Sequence, residues 1–119
     1  AQARAHGTTL VHLSSEYVFD GAHDGPIPED APVAPLGAYG ASKAAGDVAV
    51  AGVDRHYLVR PTWVVGDGTN FVRTMLGLAG RGIEPTVVAD QVGRPTFASD
   101  IAAAIVHLVT TGAPFGTYH

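Results

Sequence analysis

Hydrophobic and polar positions along this chain switch repeatedly between a strand period and a helix period. Residues 9–13 (TLVHL) form a short β-branched and apolar run that stops at Ser14-Ser15, the pattern of a buried strand opening onto a polar loop. From Asp20 to Pro35 the chain is rich in Gly, Pro, Asp and Ala, which predicts a long loop; loops of that length inside compact domains are functional or mobile. The Ala-rich stretch from Leu36 to Ala51 predicts a helix with Tyr39, Lys43 and Asp47 on one face. HYLVRPTWVV (56–65) predicts a second strand running into a loop at Gly66-Asp67-Gly68. Residues 70–79 predict a helix capped by Thr69 or Asn70, with Phe71, Met75 and Leu78 as its core face. PTVVAD (85–90) predicts a third strand, and Ser99 the cap of a last helix from Asp100 to about Thr110, where Ile101, Ile105 and Leu108 recur at helical spacing. FGTYH (115–119) is placed as the start of a fourth strand.

Strands alternating with helices in this way predict a mostly parallel sheet with helices on its faces. Such sheets bind ligands at the carboxyl ends of their strands. Ser14-Ser15, Pro61-Thr62-Trp63 and Asp90-Gln91 all fall at those ends.

Composition narrows the function. A length of 119 residues holds one domain at most. The net charge of -4 offers no basic field to a phosphate backbone, so nucleic acid is not an expected partner. No apolar run approaches the ~20 residues that cross a bilayer, so no membrane partner is expected either. The absence of cysteine removes disulfides, thiolate ligands and a thiol nucleophile together, and suits a reducing, cytoplasmic compartment. The six histidines lack metal-ligand spacing such as H-x-x-x-H, so no metal is expected. The opening AQARAHG has neither a signal-peptide core nor an initiator Met, and the ending PFGTYH has no polar tail; both are read as cuts within a longer chain.

The chemistry lies in Tyr39-Gly40-Ala41-Ser42-Lys43 and in Leu13-Ser14-Ser15 upstream. Four residues apart on a helix, Tyr39 and Lys43 share a face, and an ammonium there favours the phenolate. A tyrosine so placed can give a proton to a carbonyl oxygen as hydride reaches its carbon, while the Ser15 hydroxyl polarises the same oxygen. A lone Y-x-x-x-K is common in helices as a surface pair, so the surrounding words decide.

Those words resemble the dTDP-4-dehydrorhamnose reductase family of extended short-chain dehydrogenase/reductases. LSSEYVFDG (13–21) is similar to its S-T-D-Y-V-F-D-G, and LGAYGASKAAGD (36–47) to P-x-x-x-Y-G-x-[ST]-K-x-x-G-E. LVRPTWVVGDGTNFVRTML (58–76) resembles R-T-S-W-V-Y-G-x-x-x-N-F-V-x-T-M-L, and VVADQVGRPTFASDIA (87–102) resembles V-x-D-Q-x-G-x-P-T-x-x-x-D-L-A. The four motifs stand in order over nearly the whole chain. The resemblance implies an α/β fold, a partial Rossmann-like doubly wound parallel sheet from the C-terminal part of such an enzyme. It implies a single fragment holding the catalytic triad and part of the sugar-nucleotide region. It also implies NADPH or NADH as cofactor, a dTDP-sugar as substrate, and reduction of the C4 ketone of a 4-keto-6-deoxyhexose.

By position, the resemblance makes Ser15, Tyr39 and Lys43 catalytic. It sets Ser14, Tyr39, Lys43, Pro61 and Thr62 against the cofactor, and Ser15, Glu16, Tyr17, Phe19, Trp63, Gln91 and Arg94 against the substrate. Phe19 reads equally well as a loop anchor, and Arg94 as half of a surface pair with Asp90. Departures from the pattern are Ser15 for Thr, Glu16 for Asp, Pro61-Thr62 for Thr-Ser and Val65 for Tyr, which bear on the sugar more than on the reaction. The family's G-x-x-G-x-x-G nucleotide turn is missing from these residues. The fragment alone is therefore expected to be inactive, and either poorly stable or paired with a second copy through the sheet edge that the missing N-terminal half would cover. The alternatives are a sugar-nucleotide epimerase or dehydratase, which share Ser/Tyr/Lys, and a non-catalytic regulator like that of methionine adenosyltransferase.

Overall fold

The computed structural model describes residues 2–119. Three parallel strands form its centre, β1 (Leu10–Leu13), β2 (His56–Val59) and β5 (Gly116–Tyr118), side by side in the order β1-β2-β5. The middle strand is the most buried: Tyr57, Leu58 and Val59 are all inside, as a strand covered on both faces requires.

Alternation along the strands assigns each face its helix. Val11, Tyr57 and Val59 pack with Ile105 and Leu108 of α4 (Ala98–Thr111) in the main core cluster. His12, the register partner of Leu58, faces Gly46 of α2 (Ala38–Ala51) on the opposite side. α2 buries Gly40, Ala44, Asp47 and Val50, the three- and four-residue spacing of one helical stripe. The doubly wound arrangement expected from the sequence is thus present around β2. A short helix α1 (Gln2–Ala5) precedes β1, and a 3-10 turn (Glu16–Val18) follows it.

A second, two-stranded parallel sheet pairs β3 (Val64–Val65) with β4 (Thr96–Phe97), with α3 (Phe71–Ala79) between them in sequence. Asn70 caps α3 as expected, its side-chain oxygen accepting the Arg73 N–H at 3.0 Å. Residues 20–35 form no helix or strand, and the fourth strand at the C-terminus is present.

Four expectations are corrected. The strand over 56–65 is broken into β2 and β3, because Pro61 cannot donate to a ladder and Trp63 turns the chain with φ +35°. Residues 85–90 are no strand: no neighbouring strand pairs with them, and all are exposed. Ser99 does not cap α4, which begins at Ala98 after Phe97 without a side-chain cap. Phe71, Met75 and Leu78 are not core, since α3 buries no residue and Phe71 is 59% exposed.

Candidate active site

β1 and β2 end together, and their ladder continues past both strands. The Ser14 N–H donates to the Val59 carbonyl at 2.8 Å and the Glu16 N–H to the Pro61 carbonyl at 3.3 Å. Ser15 then caps the 3-10 turn, its hydroxyl oxygen accepting the Tyr17 N–H at 3.2 Å. Both serines are buried. Against this turn lies the first turn of α2, brought close because residue 40 is glycine; a Cβ there would overlap the Tyr17 carbonyl oxygen and press on Pro35.

That approach sets Tyr39 edge-on to the Tyr17 ring, with centroids 6.0 Å apart. One turn along α2, the Lys43 ammonium donates to the carbonyl of Leu13 at 2.6 Å. Hydroxyl, phenol and ammonium, foreseen from sequence as Ser15, Tyr39 and Lys43, therefore gather at the carboxyl end of β1.

Ser15 and Tyr39 border a cleft of about 480 Å³. Ser14, Ser15, Glu16, Tyr17, Tyr39, Pro61, Trp63 and Gln91 all line it. The remaining candidates lie off its wall. Lys43 reaches Leu13 instead, and Thr62 is half-buried outside the lining. Phe19 packs beneath the Arg60 guanidinium (5.3 Å to its ring centroid) and against His119. Arg94 is exposed, and it is not among the ion pairs of the described residues, Arg60–Asp47 and Arg73–Asp67. The apolar wall was not foreseen: Val64, Val65, Phe71, Val72, Val87, Val88 and Pro95 all line the cleft. Its signal was present in Val87-Val88 and Phe71, apolar residues assigned to a strand and a core that the fold does not build.

The polar groups are specifically tied. The Ser15 hydroxyl donates to one Glu16 carboxylate oxygen at 2.8 Å, and the other accepts the Trp63 backbone N–H at 3.4 Å. Trp63 also accepts the Thr96 N–H on its carbonyl at 3.1 Å, and Gly93 lies flat on its indole, where a Cβ would come within 2.5 Å of the ring. The Ser14 hydroxyl, buried in the cleft wall, has no hydrogen-bond partner. An orphaned buried hydroxyl is costly, and at a strand end facing a cleft it is suited to a ligand's polar group.

A parallel sheet wound on both faces, with Ser, Tyr and Lys gathered where its strands end, has the architecture of the Rossmann-like short-chain reductases and epimerases. Within that class the chain belongs to the family of the RmlD substrate binding domain, whose model matches residues 1–119. It is 45% identical over 113 residues to a dTDP-4-dehydrorhamnose reductase of Burkholderia thailandensis, covering 93% of this chain and 38% of that protein. The solved dTDP-4-dehydrorhamnose reductase of Clostridium acetobutylicum superposes with a TM-score of 0.92 at 40% identity, over 100% of this chain and 42% of its own. That of Bacillus anthracis, solved in complex with NADP, gives 0.89 at 39% identity over 98% and 42%. The chain thus spans about two fifths of the length of the relatives it matches.

Proposed function

We propose that the protein carrying this chain is an NAD(P)H-dependent reductase that converts the C4 ketone of a dTDP-4-keto-6-deoxyhexose to the alcohol, as dTDP-4-dehydrorhamnose reductases do. The observation that carries it is the gathering of Ser15, Tyr39 and Lys43 at the end of β1, beside a cleft. The relatives named above support the substrate class.

In this reading Tyr39 gives the proton to the C4 oxygen, and the Ser15 hydroxyl binds that oxygen as negative charge builds on it. Lys43, held one turn from Tyr39 on the same helix face, sets a positive charge beside the phenol. Glu16, Tyr17, Trp63 and Gln91, which line the cleft, contact the sugar nucleotide. Bound reduced nicotinamide supplies the hydride. The residues present fit its nicotinamide end: the orphaned Ser14 hydroxyl, the Pro61 edge, and an ammonium and phenol able to bond ribose hydroxyls. Phe19 and Arg94, off the cleft wall, have no part in the proposed site. A cytoplasmic location follows from the substrate class, and the 119-residue polypeptide on its own would pair with a second copy through the edge of β1.

The test is Tyr39→Phe in the intact enzyme, assayed by NAD(P)H consumption with the keto-sugar nucleotide. Loss of a positioned proton donor lowers turnover by roughly 10²–10⁴-fold, while substrate affinity measured by calorimetry stays near wild type. Near-normal turnover in that variant overturns the assignment.

A further inference from the structure

The turn Gly66-Asp67-Gly68-Thr69-Asn70 joins β3 to α3, and the residues on either side of it, Val65 and Phe71, both line the cleft. Packing does not seat Phe71 there, because α3 buries none of its residues. Hydrogen bonds from one side chain do. The Asn70 Nδ2 donates to the Gly66 carbonyl at 2.9 Å and to the Gly68 carbonyl at 3.3 Å, while its Oδ1 accepts the Arg73 N–H at 3.0 Å. These partners fix which way the amide faces, since a carbonyl only accepts and a backbone N–H only donates. Gly68, with φ +87°, gives the turn the left-handed residue it needs.

We infer that Asn70 is a positioning residue for the cleft, acting through Phe71 and touching no substrate itself. Its own side chain is not part of the cleft lining. Capping alone does not call for asparagine: aspartate and serine cap a helix N-terminus as well. A carboxylate, however, has no donor for the two carbonyls, and a hydroxyl has only one. The amide serves the helix and the turn at once, and Phe71 follows it directly in the chain. The Phe71 ring is 59% exposed on the cleft wall, so a shift at the start of α3 carries it toward or away from a bound ligand. Ser15, Tyr39 and Lys43 stand on β1's end and α2, apart from this turn. Asn70 therefore governs binding and leaves the chemical step alone.

The inference rests on the reading that a sugar nucleotide fills the cleft, and the experiment keeps the two apart. Asn70→Asp in the intact enzyme keeps the cap and sets a carboxylate oxygen against the two carbonyls. KM for the keto-sugar nucleotide should rise about tenfold, the scale of one or two lost hydrogen bonds, with kcat within about twofold. The calorimetric Kd of dTDP-glucose, which has no ketone to reduce, should rise alike. Asn70→Ser, which also keeps the cap, should match it. In the crystal structure of Asn70→Asp, α3 should persist while Phe71 leaves the cleft wall. Wild-type KM and Kd in that variant would reduce Asn70 to a helix cap and overturn the inference, as would a fall in kcat at unchanged KM. Phe71 found in its original place also overturns it. An intact wild-type protein that binds dTDP-glucose but reduces no ketone sinks the reductase reading alone, because Kd and the crystal structure still decide on Asn70.

Discussion

Two glycines set the distances on which the site depends. At residue 40, alanine would add helix propensity of up to about 1 kcal/mol in the first turn of α2. Its Cβ, however, would overlap the Tyr17 carbonyl, a backbone atom anchored in the 3-10 turn. Backbone does not yield as a side-chain tip does, so the overlap wins. Gly40→Ala should be net destabilising by about 1–3 kcal/mol, read from urea unfolding, and should move Tyr39 away from Ser15. A variant as stable as wild type would mean that α2 does not seat on Tyr17 as closely as described. At Gly93 the obstacle is the Trp63 indole, a side chain that can swing. Gly93→Ala should therefore turn the indole outward at small cost in stability. Trp63 is the sole tryptophan of the sequence, so its emission in the 119-residue polypeptide should shift to longer wavelength; an unchanged spectrum would count against the stack.

Between elements, the strongest polar tie is the ion pair of Arg60, just after β2, with Asp47 of α2, at 2.9 Å and with both side chains over 90% buried. Asp47 lies one turn beyond Lys43 and two beyond Tyr39, so the pair fixes the helix that carries both against the strand end that carries Pro61. Arg60 further donates to the Glu29 carbonyl of the long loop at 3.4 Å and lies over Phe19. Removing one partner of a buried pair leaves the other charge uncompensated, at a cost of roughly 3–5 kcal/mol. Asp47→Asn should lose about that much in chemical denaturation; a loss under about 1 kcal/mol would show that water reaches the guanidinium.

Elements were legible from sequence where local chemistry decides them. The face of α2 with Tyr39, Lys43 and Asp47, the Asn70 cap and the strand ending at Ser14-Ser15 follow from side-chain periodicity and capping, which act over a few residues. Illegible were features set by tertiary neighbours. Nothing local shows that Trp63 would adopt φ +35° and break the second strand. Val87 and Val88 read as a strand because they are β-branched, yet no partner edge exists for them and they face the cleft. The grouping of Ser15, Tyr39 and Lys43 at one strand end was legible through their motifs; Phe71 and the valine wall were not, since an apolar cleft wall and an apolar core share one pattern.

At the scale of the molecule, the chain exposes 8186 Å², where a compact protein of its mass exposes about 6,100 Å². Its radius of gyration is 16.7 Å, against about 13.5 Å for a compact chain of this length. The excess is uneven. β2 and the inner stripe of α2 are buried, whereas α3 buries nothing and residues 81–90 are exposed throughout. Hydrophobic stabilisation follows apolar area removed from water, so the 119-residue polypeptide should not open as one unit. Its α3 and residues 80–95 should exchange amide hydrogens through low-energy local openings, while β2 and α2 exchange only on larger unfolding. Because Val87, Val88 and Phe71 from the loose part line the same cleft as Ser15 and Tyr39 from the firm part, a ligand bridging the two must order the loose one. Adding dTDP to the 119-residue polypeptide should slow exchange in 80–95 more than in β2. Uniform protection across both parts, with or without ligand, would mean that the valine wall is as firmly held as the strands it faces.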